Sequence, residues 1–144
     1  MLANYISDGM GKGKLPDPLK RREILYGRDT PREALIQYGD LYRNEGRLND
    51  AVEFYGMAGY REGLMELKEV AVQRGDFFLL QQVAGFLDDE IPPEVWRDLG
   101  RRALQEGKLS FAQKAFAQAG DLEALREVQE TIKGEGEGGR KETG

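Results

Sequence analysis

No cysteine and no histidine occur among the 144 residues of this chain. The first absence removes disulfides and thiolate chemistry, and the second removes the commonest metal ligand and the side chain that titrates near neutrality. An enzyme built from this sequence would have to work with carboxylates, lysine, hydroxyls or tyrosine alone. Basic residues are in deficit: 21 Lys and Arg against 26 Asp and Glu leave a formal net charge of -5, which suits phosphate backbones poorly, so nucleic acid is not an expected partner. No apolar run approaches the roughly 20 residues that span a bilayer, and the opening MLANYISDGMGKGK lacks the apolar core of a secretion signal. The length suits one domain with its own core, and the expectation is a cytoplasmic protein with no membrane partner.

Catalytic and cofactor motifs are equally scarce. GMGKGK at 9–14 has the glycines and lysines of a phosphate loop, but Gly13 and Leu15 follow the lysines where Ser or Thr is needed. Residues 1–14 therefore read as a flexible lysine-bearing arm. Asp88, Asp89 and Glu90 lack the alternating ligand pattern of a calcium loop and read as a solvated turn. No Gly-x-Ser-x-Gly, dinucleotide fingerprint or zinc spacing is present. The expectation is a protein that is not an enzyme, with no catalytic residues, no cofactor and no metal.

What is present is helical periodicity. Between Trp96 and Ala119, the residues Trp96, Leu99, Gly100 and Ala103 share one helix face, Gly107 breaks the helix, and Ala112, Phe116 and Ala119 return on one face of a second. This is a helical hairpin whose facing seam alternates large and small residues. The same grammar occurs earlier. Thr30-Pro31-Arg32-Glu33 signals a helix start with Thr30 as cap, Leu35, Tyr38, Gly39 and Tyr42 recur on one face, Gly46 ends the helix, Asn49 is placed to cap the next, and Ala51, Tyr55 and Ala58 line its return. Tyr38, Tyr42 and Tyr55 so fall at core positions. Superposing Gly46 on Gly107 brings seven positions into one register. Gly59 and Gly120 follow the second helices as C-caps.

This pattern resembles the tetratricopeptide (TPR) repeat family, W-x2-L-G-x2-Y followed by A-x3-F and Ala. Residues 32–60 and 93–126 match it, and 61–92 resembles a degenerate third copy with Leu64, Leu67, Ala71, Gly75, Leu80, Ala84 and Leu87 in place. Lys68 replaces the packing glycine there, and the turn glycines lie 29 and then 32 residues apart, against about 34 in the family. The resemblance implies an all-α short α-solenoid over residues 31–132, three TPR-like hairpins closed by a capping helix with Leu122, Leu125 and Val128 on its apolar face and Asp121 as its cap. Residues 1–30 are expected as a flexible arm with one short helix, on which Lys20, Arg21 and Arg22 form a solvated face. Residues 133–144, without an apolar side chain, are expected to be disordered.

In this family the first helix of each repeat lines a concave groove. Carried over by position, that groove comprises Glu33, Ile36, Asp40, Arg43 and Asn44; Glu62, Met65, Glu69 and Gln73; and Glu94, Arg97, Arg101 and Gln105. The resemblance implies a non-catalytic scaffold for a protein or peptide, with Arg97 and Arg101 available to an acidic group at one end. The plainer alternative is that these are solvated helix faces. Some family members clamp a C-terminal carboxylate with basic residues at positions that here carry Ile36, Asp40, Glu66, Glu94 and Asp98, which favours neutral or basic segments instead. A rival reading is a structural module that forms a homo-oligomer.

Overall fold

The computed structural model describes residues 15–143, with side chains through Glu135; residues 1–14, the expected arm, lie outside the described residues. Among the described residues there are eight helices and no strand: α1 (Pro18–Tyr26), α2 (Arg32–Asn44), α3 (Leu48–Ala58), α4 (Arg61–Arg74), α5 (Phe77–Ala84), α6 (Pro93–Gln105), α7 (Leu109–Ala119) and α8 (Leu122–Thr143). No helix among them is long and apolar enough to cross a membrane.

Short links make neighbours in sequence neighbours in space. α2 packs on α3, α4 on α5, α6 on α7 and α7 on α8, while α3 meets α4 and α5, α4 meets α6, and α5 meets α7. The turns between paired helices use Gly46, Gly75 and Gly107, all at positive φ (78°, 61° and 74°), where a side chain would strain the backbone. Gly59 and Gly120 end α3 and α7 in the left-handed conformation.

The helix starts differ from the sequence reading in two places. Pro31, not Thr30, stands at the N-cap of α2; its extended backbone (ψ 150°) delays the first helical residue to Arg32, and no side chain caps that end. α3 begins at Leu48, which draws Asn49 inside the helix. Its amide instead donates to Gln82 on α5 at 2.8 Å, and Gln82 donates back to the Asn49 carbonyl. Asp121 does cap α8, accepting from the Ala124 N–H at 3.1 Å.

The core falls into two clusters, one of buried residues between Ile24 and Ala115 and a smaller one of Ala103, Ala112, Phe116 and Val128, with the partly buried Phe111 packed against both. Tyr38, Tyr42 and Tyr55 lie in the larger, and Phe54 stacks on Tyr42 with ring centres 5.0 Å apart. Hairpin spacing follows from small residues facing rings. A Cβ built on Gly39 would lie 2.5 Å from the Tyr55 ring, and one on Gly100 would lie 2.8 Å from Phe116. The middle hairpin solves the same problem in reverse. Its register puts Lys68 in the place of Gly39 and Gly100, and Ala84 in the place of Tyr55 and Phe116, so the long side chain is matched by a short one. Between hairpins, Gly75 lies against the α6 backbone, its built Cβ only 2.6 Å from the Ala103 nitrogen, while Phe77 meets Trp96 at 5.4 Å.

α1 and α8 are the outermost helices of the described residues. α1 docks: Ile24 and Leu25 are buried, and Arg21 leaves the expected solvated face to pair with Asp50 at 2.8 Å and Glu53 at 2.5 Å on α3. Two buried apolar side chains and an arginine aimed at two carboxylates hold this short helix in place. α8 continues as helix through Thr143, past the residue at which the sequence reading ends it. The added turns include Gly134, Gly136, Gly138 and Gly139, each about 1 kcal/mol less favourable than alanine in a helix, so this end is the weakest part of α8.

Two substitutions test these packing statements. Trp96, 5% exposed, should cost about 3–5 kcal/mol when replaced by alanine, measured by urea denaturation. Gly75→Ala and Gly107→Ala place a side chain in the same strained backbone region, but nothing lies within 4 Å of Gly107. Gly75→Ala should therefore destabilise by about 1–3 kcal/mol more than Gly107→Ala, the overpacking contribution alone.

A candidate recognition face on the first helices

The exposed rows of α2, α4 and α6 carry every residue of the expected groove. On α2, Glu33, Asp40 and Asn44 are exposed, and Ile36 and Arg43 are half-buried; on α4, Glu62, Glu69 and Gln73 are exposed and Met65 is half-buried; on α6, Glu94, Arg101 and Gln105 are exposed and Arg97 is half-buried. Helical spacing of three and four residues puts each set on one face of its helix.

α2 and α4 are joined across this face. Arg43 Nη1 donates to the Glu66 carboxylate, and Tyr55 reaches through from α3 to donate its hydroxyl to Asp40 Oδ1 at 2.5 Å. Beside that bridge, Arg61, Glu62, Met65, Glu66 and Glu69, all on α4, line a shallow, open recess of about 530 Å³. Arg61 and Glu66 are absent from the expected groove. Glu66 enters the sequence reading only as a clamp position; it stands four residues after Glu62 and three before Glu69 on the same helix face.

The α6 row belongs to different surroundings. Arg97 Nε donates to Asp121 Oδ2 at 3.1 Å, and Arg101 pairs with Asp98 at 3.4 Å. Arg101 also lines a smaller recess of about 220 Å³ with Leu104, Phe116, Asp121, Glu123, Ala124 and Glu127, shared with α7 and α8. Among the described residues, no hydrogen bond or ion pair links the α6 row to the α4 row. The α4 and α6 rows border separate recesses, and each of the two arginines expected to greet an acidic group has a carboxylate beside it.

The charge left over is negative. Among the described residues Glu33, Glu62, Glu69 and Glu94 have no basic partner. Tyr60 registers the surplus: its phenol is raised above the ordinary range by the charge of Glu62 first, then by slight desolvation and by Asp40 and Glu66. Elsewhere, Asp88, Asp89 and Glu90 rim a third recess of about 390 Å³ over Leu87, Ile91 and Trp96, with Asp89 tied to Arg61 at 2.9 Å. No group of three or more Asp or Glu among the described residues is placed to hold a metal ion.

Burial, aided by the hydrogen bond to Asp40, pushes the Tyr55 hydroxyl far above its usual value. The sign follows: a group whose folded pKa is raised contributes stability that is complete below the unfolded value of about 10 and is lost as pH rises through the folded one. Urea titrations at pH about 8 and about 11 should therefore show an alkaline loss of stability that Tyr55→Phe reduces, at a cost near neutrality of about 1 kcal/mol for the lost hydrogen bond. No protein-family model, no curated protein and no solved structure matches this chain.

Proposed function

We propose that this chain is a short α-solenoid of three TPR-like hairpins that binds a protein or peptide without catalysis, using the exposed rows of its first helices. The observation that carries the reading is the open recess on α4, where the half-buried Met65 lies among Glu62, Glu66 and Glu69 beside Arg61, on a face where, among the described residues, Glu33, Glu62, Glu69 and Glu94 have no basic partner. The repeat register supports it. Leu35, Leu64 and Trp96, then Tyr38, Leu67 and Leu99, then Tyr42, Ala71 and Ala103 are buried in turn along α2, α4 and α6, and helices touch only those one or two places away in the main contacts. That is the nearest-neighbour order of stacked repeats.

The occupant that fits is an extended or helical segment with one apolar side chain for Met65 and basic residues on either side. An acidic C-terminal segment fits poorly, since Asp40, Glu66, Glu94 and Asp98 stand where a carboxylate clamp needs cations. Exposed charge pairs are worth at most about 1 kcal/mol each, so the attraction is a sum of several and is screened by salt.

Calorimetric titration of a Lys-Leu-Lys peptide and its Glu-Leu-Glu counterpart tests this. The basic peptide should bind more tightly, lose affinity as salt rises, and lose about tenfold on Glu62→Lys with Glu69→Lys. Tighter binding of the acidic peptide would overturn the reading.

A further inference from the structure

α8 keeps the register of the first helices. Counted from the turn glycines, Leu125 takes the place of Leu35, Leu64 and Trp96; Val128 that of Tyr38, Leu67 and Leu99; and Ile132 that of Tyr42, Ala71 and Ala103. In α2, α4 and α6 these positions are all buried, each helix being covered by the one that returns after the turn. α8 has no return helix among the described residues. It runs on through position 136, the fourth place of the turn glycine, to Thr143.

The consequence is an apolar strip left half covered. Val128 is fully buried against α7, and Ala124 and Leu125 pack at the edge of the same cluster. Ile132, whose three counterparts are 0% exposed, is 37% exposed, and Leu122 is 69% exposed. Leu122, Leu125, Gln129 and Ile132 follow one another at spacings of three and four, so they form a single strip beside the stripe that α7 covers.

We propose that this strip seats one helix of a partner protein, lying where a return helix would lie and presenting an acidic residue to Arg126 and Lys133. Two observations select that occupant. The same register occurs three times in the chain, and each time the helix that follows the turn packs on the first: α3 on α2, α5 on α4 and α7 on α6. Arg126 and Lys133 border the strip without an ion-pair partner among the described residues, while Glu123, Glu127 and Glu130 lie farther round the helix. A second copy of α8 is the alternative occupant, and light scattering separates the two.

Size matching narrows the occupant further. Gln129 stands at the position of Gly39 and Gly100, where a Cβ would run into the facing ring, and of Lys68, where the facing residue is Ala84. The docked helix therefore carries a small residue opposite Gln129, not an aromatic one. This surface is separate from the recess on α4, and it stands or falls independently of that reading.

The test uses a synthetic peptide with the sequence of residues 48–59 carrying Tyr55→Ala, which is acidic through Asp50 and Glu53, and a second peptide with both acids changed to lysine. Each is titrated into the full chain while the amide signals of α8 are followed by NMR. The expected result is saturable binding of the acidic peptide with shifts at Leu125, Gln129 and Ile132, at least about tenfold weaker in Ile132→Asp and in Arg126→Glu with Lys133→Glu, and unchanged in Glu62→Lys. Ile132→Asp alters a partly exposed site, and circular dichroism checks that its helix content is retained. No saturation by about 1 mM peptide, or equal binding by the Ile132→Asp variant, would overturn the proposal. So would light scattering that finds a dimer abolished by Ile132→Asp, which would make the occupant a second copy.

Discussion

How close two helices can come is decided by one shared volume per hairpin. In the first and third hairpins the first helix gives up its side chain and the second lays a ring across the gap, Tyr55 over Gly39 and Phe116 over Gly100. A ring in that place does more than fill space. Tyr55 extends past the glycine to bond Asp40, so the contact that sets the helix spacing also fixes a carboxylate on the exposed row. Core packing and surface charge are thus placed by the same side chain.

The middle hairpin is the link on which the other two depend. Its small residues have moved outward: Gly63 lies against Tyr55 and Tyr60 of the hairpin before it, and Gly75 against the Ala103 backbone of the hairpin after it. Close approach has been transferred from within the hairpin to its two interfaces. Lys68 and Ala84 then need only be complementary in size. At the second of these interfaces Phe77 and Trp96 also meet, with ring centres 5.4 Å apart.

Much of this packing is legible in the sequence, because it rests on periodicity. The turn glycines, the buried Leu35, Tyr38, Tyr42, Tyr55, Leu64, Leu67, Trp96, Leu99 and Phe116, and the small residues at Gly39 and Gly100 follow from spacing, whereas the burial of Val52, Phe54, Phe77, Leu79 and Val83 does not. What spacing does not carry is pairing between distant residues. Arg21 looks like any exposed helix arginine until α3 brings Asp50 and Glu53 to it, and Arg97 looks free until the turn after α7 delivers Asp121. The groove expected from the sequence therefore overstates the supply of free cations, although its residues do lie on the exposed rows of three helices. The exchange of size between Lys68 and Ala84 is also present in the sequence, but reading it requires knowing that the two positions face each other.

The contact order along the chain has a kinetic meaning. Every major helix contact joins elements one or two places apart, so no early step must close a long loop. Chains of this kind fold quickly, can begin at any well-packed pair, and pass order outward to their neighbours. The same arrangement makes local opening graded: α4 and α6, flanked on both sides, open only with their neighbours, whereas α1 and the far turns of α8 can detach alone. Protection from solvent exchange then declines from α4 and α6 toward α1 on one side and toward the far turns of α8 on the other, beyond the strip that Leu125 and Val128 hold against α7.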